Sequence, residues 1–244
     1  MTFGLLPLII LTGGILLQFF TILSGAINSS PVTQFFFLEA SNIGNIPNAR
    51  NPSRWTFFAI CGVNPSNGHN ANCGSLLPAL PFDPPRNFGT DDNIPNQFIR
   101  THQYYYLSRF MFGFYLMALF FAVVALFTGV LALCSRLGGY LSGLTTAVAL
   151  LFQTLAASLM TAWTVQGRDA FRSGGHSAKL GVKLYAFTWS AMACFLLSTV
   201  LFCCGGAVGR GSTSVRRKRP TRSSRSRGSF LDTESQRRVK DDYS

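Results

Sequence analysis

The chain has 244 residues, of which 48% are apolar and 12% are charged, and its formal net charge is +12. Soluble domains usually contain about 25% charged residues. The composition therefore argues against a soluble domain and favours a membrane protein that carries a basic segment.

Four apolar runs are long enough to cross a bilayer, which takes about 20 residues as a helix. They cover residues 5–27, 110–133, 140–163 and 184–206. The first run resembles a cleaved signal peptide in position, but no Lys or Arg precedes it and its apolar core is longer than such peptides have. Because lipid offers the backbone no hydrogen-bond partners, each run must be a helix. The predicted fold is an all-α membrane protein built as a four-helix transmembrane bundle.

Basic residues predict the orientation of this bundle. Eleven of the 21 basic residues follow residue 209, and positive charge beside a span favours the cytoplasmic side. The second outer loop opposes this locally, with Arg168, Arg172, Lys179 and Lys183 against a single Arg136 in the inner turn, but the larger count should decide. The predicted order is a cytoplasmic N-terminus (1–4), a span (5–27), an extracellular loop (28–106), a span (107–134), a cytoplasmic turn (135–139), a span (140–163), an extracellular loop (164–183), a span (184–208) and a disordered cytoplasmic tail (209–244).

The first outer loop contains two apolar runs between turn-forming residues, at 35–38 and 55–60. Such runs are typical of β-strands. A loop of nearly eighty residues without secondary structure would be unusual. We therefore expect a small extracellular β-sheet in this loop.

Cys61 and Cys73 lie in the same loop, where the oxidising exterior preserves disulfides. A bond between them would close a short loop and stabilise the fold by about 3 kcal/mol in the chain-entropy model. Two free or separately paired thiols are the alternative. His69 lies between them, but this set matches no zinc pattern, so no metal site is expected.

Five short motifs in the first outer loop and the second span have a distinctive order and spacing. They are RWTFFAIC at 54–61, NCG at 72–74, PALPF at 78–82, NFGT at 87–90 and YYLSRFMF at 105–112. With them the chain resembles the fungal Sur-seven/PalI family over residues 5–206, and most closely its Sur-seven branch. A tryptophan shortly before two cysteines in the first outer loop also recurs in claudin-like folds. The resemblance thus implies a claudin-like bundle whose sheet is pinned by a disulfide.

The same resemblance implies a function. Members of the Sur-seven branch are plasma-membrane proteins of the eisosome, the static furrow-like domain of the cell cortex also called the membrane compartment occupied by the arginine permease. The implied roles are non-enzymatic: organising cortical domains and supporting endocytosis, cell-wall integrity and sporulation, with cortical eisosome scaffold proteins as partners. The alternative is a surface sensor of wall or pH stress, as on the PalI side of the family.

Arg54 and Trp55 have the most distinctive chemistry among the motif residues. Trp55 offers a large flat apolar surface with one N–H donor, which suits the headgroup level of a membrane or a place over a disulfide. Arg54 can pair with a carboxylate or with a lipid phosphate. The alternative is that both residues form the ordinary core and rim of the predicted sheet.

The spans themselves indicate packing rather than transport. No Asp, Glu, Lys, Arg or His lies in the middle of any run, which argues against an ion-coupled transporter. Small residues such as Gly13 and Gly14 let helices approach closely, within the bundle or between self-associating copies. Aromatic residues from Tyr104 to Tyr115 are expected to anchor the second span at the interface, with a lipid or sterol contact as the alternative.

The tail after residue 209 has the composition of a disordered segment, and its eleven basic and four acidic residues give it a charge of +7. Beside a bilayer, anionic phospholipid attracts each basic residue near the surface by about 1 kcal/mol. The residues expected to bind lipid are Arg216, Arg217, Lys218, Arg219, Arg222, Arg225 and Arg227. Phosphorylation would cancel this attraction, and the candidate sites are Ser223, Ser224, Ser226 and Ser229. Nucleic-acid binding is disfavoured because the tail is tethered to the membrane.

Cys203 and Cys204 stand at the inner end of the fourth span, where cysteines are typical S-acylation sites. Packing as small apolar residues explains them equally well. The chain has no Gly-rich phosphate loop, no His-Glu metal motif and no Gly-x-Ser-x-Gly motif. We therefore expect no enzymatic activity and no cofactor.

Overall fold

A computed structural model describes residues 2–27, 29–132 and 136–211 of the chain. The helices in this part are α1 (Thr2–Ile22), a short α2 (Pro84–Phe88), α3 (Gln103–Ala132), α4 (Arg136–Ser173) and α5 (Val182–Gly211). Four of them are long and apolar enough to cross a membrane, over Leu5–Ile22, Gln103–Leu131, Gly138–Ser173 and Val182–Cys204. The prediction of a mainly helical protein is confirmed, and the described residues contain the four candidate spans that were expected.

Neighbouring long helices run in opposite directions. Gly14 of α1 lies against Phe195 of α5, and nearer the start of α1 the Pro7 carbonyl accepts a hydrogen bond from Ser198 Oγ at 3.2 Å, further along α5. The end of α1, the start of α3, the end of α4 and the start of α5 therefore meet at one end of the bundle. The connecting segments at that end form the sheet.

Buried polar side chains join the helices inside the bundle, towards the end that carries the sheet. The Tyr115 hydroxyl lies 2.6 Å from Thr188 Oγ1, which connects α3 to α5. The side-chain amides of Gln18 and Gln153 donate to the carbonyl oxygens of Tyr115 and Thr188, at 2.9 and 3.2 Å. Away from water these bonds have no competing partners, so they fix how far each helix is shifted along its neighbours.

Helices α3 and α4 are longer than the membrane requires. Their 30 and 38 residues extend over about 45 and 57 Å, against a hydrocarbon core of about 30 Å. Helix α1, with 21 residues, is about as long as that core is thick. The last turns of α4 reach the sheet, where a Cβ on Gly167 would contact Leu38 and Phe82.

Helix α4, which contains the third predicted span, therefore continues ten residues past the predicted end of that span at residue 163. Arg168 and Arg172, which the sequence placed in the second outer loop, lie in its last turns. The reason is tertiary contact: aromatic residues of the first connecting segment pack on these turns and replace the lipid contacts that end there. The second connecting segment is reduced to residues 174–181.

The sheet has five antiparallel strands in the order β4-β3-β2-β1-β5. They are β1 (Leu38–Ser41), β2 (Ser53–Trp55), β3 (Ile60–Val63), β4 (Asn70–Ala71) and β5 (Ser177–Leu180). The prediction of a small sheet is confirmed. We call residues 29–102 and 174–181 together the head.

Two predicted strand positions were wrong. Of residues 35–38 only Leu38 belongs to a strand, and residues 55–60 are divided between β2 and β3. The division occurs at Thr56, whose hydroxyl donates to the Ala59 carbonyl at 2.7 Å and accepts from the Ala59 amide at 3.1 Å. Threonine hydroxyls compete with the sheet for backbone partners in this way, so a tight turn replaces the expected single strand.

Strand β5 was not predicted. It comes from the second connecting segment and pairs with β1, so it joins the two segments in one sheet. It leads into α5 through Gly181, where a Cβ would collide with the Phe36 carbonyl oxygen.

The adjacent glycines of α1 provide a matched test of the bundle packing. A Cβ on Gly14 would lie 3.0 Å from Cys194 Cβ and 2.8 Å from the Phe195 ring, whereas a Cβ on Gly13 would meet open space. Gly14→Ala should push α1 from α5 and lower the free energy of unfolding by about 1–3 kcal/mol. Gly13→Ala should be neutral or stabilising by up to about 1 kcal/mol, because Ala favours a helix over Gly. Thermal unfolding of both variants in one detergent measures the difference, and equal shifts would contradict the packing.

Candidate functional site

One row of directly opposed residues crosses four strands of the sheet. Cys61 on β3 pairs with Arg54 on β2, Arg54 with Glu39 on β1, and Glu39 with Lys179 on β5. Opposed residues on antiparallel strands point to the same face. The row therefore gathers one disulfide cysteine and three charged side chains on one face of the head.

Glu39 is the centre of this row. One of its carboxylate oxygens accepts a hydrogen bond from Arg54 Nε at 2.6 Å, and the other lies 3.0 Å from Lys179 Nζ. Glu39 and Arg54 are 5% and 6% exposed, whereas the Lys179 side chain is 62% exposed. Arg54 is thus paired with a protein carboxylate, which is one of the two partners that its chemistry suggested. The pair ties β1 to β2 inside the head.

The remaining contacts of Arg54 come from the disulfide loop, residues 62–72. Its Nη1 donates to the Gly68 carbonyl at 2.8 Å and to Asn70 Oδ1 at 3.0 Å. The Phe36 ring lies 4.3 Å from the guanidinium carbon and shields the group. Arginine has several donors in a fixed plane, so one side chain can hold a carboxylate and a loop together.

The expected disulfide joins Cys61 and Cys73. It links β3 to the chain that follows β4, and the Gly74 amide adds a hydrogen bond to the Ile60 carbonyl at 2.9 Å. The bond closes the loop whose carbonyl and amide groups meet Arg54. The disulfide and the ion pair therefore support the same piece of backbone.

Trp55 faces the opposite side of the sheet and is only 2% exposed. Its ring centroid lies 5.1 Å from that of Phe82 and 5.7 Å from that of Phe171 on α4, and its Nε1 donates to Asn87 Oδ1 at 3.1 Å. Phe88 packs on it at 5.9 Å. Of the three sequence hypotheses for Trp55, the structure matches the packed core, and neither the headgroup level nor a place over the disulfide, since Cys61 lies on the opposite face. The motifs at 78–82 and 87–90 meet around this one side chain.

Sequence reasoning missed Glu39, Lys179, Asn87 and Phe171. A signal existed for Glu39, because it is an isolated acidic residue in the apolar segment FFFLEA at 35–40. Asn87 lies in the NFGT motif at 87–90, but the motif does not show what it contacts, and Lys179 and Phe171 have no local signal because their roles depend on which segments fold together.

The remaining candidate residues lie elsewhere. Cys203 and Cys204 are exposed free thiols on α5. The basic residues and serines expected to bind lipid or to be phosphorylated, from Arg216 to Ser229, lie outside the described residues. Within the described residues no group of three or more His, Cys, Asp or Glu is placed to hold a metal. His69 Nδ1 lies 3.4 Å from Thr33 Oγ1.

These features define a class: a small multi-pass membrane protein whose described residues contain four candidate spans, a small antiparallel sheet and one disulfide. The model of the SUR7/PalI family matches residues 3–201, and the chain belongs to this family. The resemblance in the motifs is thereby confirmed.

Named relatives agree with this assignment. Protein SUR7 of Candida albicans is 38% identical over 206 residues, covering 83% of this chain and 74% of that protein. SUR7 family protein FMP45 of Saccharomyces cerevisiae is 39% identical over 200 residues, covering 81% and 64%. An uncharacterized plasma membrane protein of Saccharomyces cerevisiae is 34% identical over 201 residues, covering 81% and 65%. The alignment thus spans slightly less than two thirds of the two Saccharomyces cerevisiae proteins.

Arg54→Met tests the buried ion pair. The change leaves Glu39 buried without its main partner, which should lower the free energy of unfolding by about 3–5 kcal/mol. Arg86→Met is the control, because Arg86 is 59% exposed and lies 3.7 Å from Asp83, so its loss should cost less than about 1 kcal/mol. Unfolding of the purified variants in the same detergent measures both values. Similar losses in the two variants would mean that the buried pair contributes nothing special.

Replacing both Cys61 and Cys73 with Ser tests the disulfide. The expected loss of stability is about 2–5 kcal/mol, because the unfolded chain gains freedom. Amide hydrogen exchange over residues 62–72 should become faster at the same time, since this loop then holds Arg54 through hydrogen bonds alone. Cys194→Ser is the control and should leave that exchange unchanged; unaltered exchange in the double variant would show that the loop does not depend on the disulfide.

Proposed function

We propose that this protein organises static domains of the fungal plasma membrane, the eisosomes, and does so without catalysis. In this role it supports endocytosis, cell-wall integrity and sporulation. The observation that carries the proposal is membership in the SUR7/PalI family over residues 3–201, with relatives named SUR7. A compact head with a buried ion pair and a disulfide suits a structural role, because each of these restricts motion.

The proposed orientation has the head outside the cell and both termini in the cytoplasm. Two independent features support it. A disulfide persists in the oxidising exterior, and the disulfide lies in the head. The eleven basic residues after residue 209 favour the cytoplasm. A claudin-like relationship is part of the same proposal. It is supported by four long helices that alternate in direction, and by Trp55 on β2, which precedes the two bonded cysteines in the chain.

Self-association within the membrane is the second part of the proposal. The space beside Gly14, Gly129 and Gly143, where a Cβ would stand, is occupied by atoms of neighbouring helices, so these glycines serve packing within the bundle. Gly13 and Gly139 have no atom within 4 Å of where a Cβ would stand. Such open positions let a second copy approach closely.

The tail provides the contact with the inner leaflet and the cortical scaffold proteins. Its seven basic residues from Arg216 to Arg227 bind anionic phospholipid, and phosphorylation of the serines from Ser223 to Ser229 weakens that binding. S-acylation of Cys203 and Cys204 adds a second anchor, which the exposure of both thiols supports.

Live imaging of the fluorescently tagged protein in fungal cells tests the proposal, with the full chain compared with a chain truncated after Gly209. Immobile cortical patches that last for minutes are expected, and truncation should disperse them if the tail supplies the targeting contacts. A uniform or vacuolar signal from the full chain would contradict the eisosome assignment.

Matched charge changes separate lipid binding from total charge. Replacing Arg216, Arg217 and Arg219 with Gln should release more protein from patches than replacing Arg237, Arg238 and Lys240 with Gln, because attraction to the bilayer falls off with distance.

Patches that stay fixed but exchange cortical partners after wall or pH stress would favour the PalI-like sensor instead.

A further inference from the structure

An exposed pair of leucines lies in the head, outside the four spans. Leu76 and Leu77 are 59% and 51% exposed, although both follow closely on the disulfide. They belong to a stretch from Trp55 to Phe82 that contains no Asp, Glu, Lys or Arg. The Arg50 guanidinium lies beside Gly74, where its Nη1 donates to the Ile60 carbonyl, but Leu76 and Leu77 themselves form an exposed apolar pair of the kind that is buried on contact with a partner or a membrane.

Hydrogen bonds place this loop beside the turn between β2 and β3. The Leu77 amide donates to the Phe58 carbonyl at 2.8 Å, and the Leu80 amide donates to the Phe57 carbonyl at 3.0 Å. The turn itself is held at the end of α1, where Ser24 Oγ lies 3.4 Å from the Phe57 amide. The leucines are thus fixed at the level where α1 ends.

Contacts with α3 give the same level. The Phe57 ring lies 5.2 Å from Phe112 and 5.3 Å from Tyr115, and Phe58 lies 5.9 Å from Phe112. Phe112 is nine residues after the start of α3 at Gln103, which is about 14 Å along the helix. The head therefore reaches down the side of the bundle as well as covering its end.

The membrane reaches the same level. Helix α1 is about as long as the hydrocarbon core is thick, so its end at Ile22 marks one boundary of that core. Phe110, two residues before Phe112, is 60% exposed and lies within the apolar span of α3. A large exposed aromatic side chain within a span is expected to contact lipid. Leu76 and Leu77 then stand next to the boundary of the lipid.

We propose that Leu76 and Leu77 insert into the bilayer on the head side and anchor the head to the membrane surface next to the bundle. The occupant of this surface is phospholipid at the boundary between headgroups and acyl chains. The anchor fixes the tilt of the head relative to the membrane, because the disulfide and the Leu77 hydrogen bond join the loop rigidly to the sheet. This role is separate from any targeting by the tail and does not depend on the eisosome assignment.

Site-specific photo-crosslinking tests the insertion. A diazirine amino acid replaces Leu76 or Leu77 in the full chain, reconstituted in phosphatidylcholine nanodiscs. Asn96 is the matched control, since it is exposed and its neighbour Gln97 contacts Ser173 at the end of α4. Ser173 lies about 15 Å along α4 beyond Trp163, whose Nε1 contacts Met111 Sδ beside Phe112 and so marks the level of the leucines. Products are identified by mass spectrometry, and an intact Cys61–Cys73 bond in each sample verifies folding.

Phospholipid adducts at residues 76 and 77, severalfold more abundant than at residue 96, are the expected result. Water adducts at all three positions would overturn the proposal, because the leucines would then lie in solvent. Cross-links to a second copy of the chain in place of lipid would also overturn it and would assign the leucines to a protein interface.

A second test, which does not depend on the label, uses tryptophan and serine variants of the leucines. Brominated phosphatidylcholine quenches tryptophan that lies near acyl chains, and Leu76→Trp should add a quenched component that Asn96→Trp lacks. Replacing both Leu76 and Leu77 with Ser should keep the disulfide but withdraw residues 74–80 from the bilayer into water, so their amide hydrogen exchange in nanodiscs should become faster. Unchanged exchange together with an unquenched Trp would contradict the insertion.

Discussion

Backbone hydrogen bonding is the constraint on which the rest of this structure depends. Lipid cannot satisfy a free N–H or C=O group, so backbone inside the hydrocarbon core must be helical or must find its hydrogen-bond partners within the protein. The irregular backbone between α1 and α3 must therefore leave the hydrocarbon and find partners of its own. It finds them in a sheet that forms at the end of the bundle, where α3 and α4 continue beyond the thickness of the membrane.

The head is small, so its stability depends on what covers the two faces of its sheet. Short strands form a stable sheet only when they have a hydrophobic face or pack against a helix, and in this sheet both faces are covered. One face uses Trp55, which packs against Phe171 on the extended part of α4. The other uses the buried pair of Arg54 and Glu39, closed over by the disulfide loop. The head is therefore an extension of the bundle core on one side and a cross-linked polar structure on the other.

This arrangement connects the head to the membrane in more than one way. Strand β5 joins the two connecting segments and leads directly into α5, so motion of the sheet is coupled to two helices. The Phe57 ring lies on α3 at the level where α1 ends, and the leucine loop is hydrogen-bonded beside it. A head held in this manner keeps a fixed orientation relative to the bundle, as the proposed role in a static membrane domain requires.

Four spans could be predicted from the sequence alone, because each apolar run has the length that the bilayer imposes. The disulfide and the family could be predicted as well, since Cys61, Cys73 and the motifs around them can be read locally. Folding, in contrast, sets the extension of α4 to Ser173, the completion of the sheet by β5 and the pairing of Arg54 with Glu39. The physical reason is that these features depend on contacts between segments far apart in the chain. The thickness of the membrane constrains the length of each span by itself, whereas Trp55 and Arg54 contact their partners only after the chain has folded.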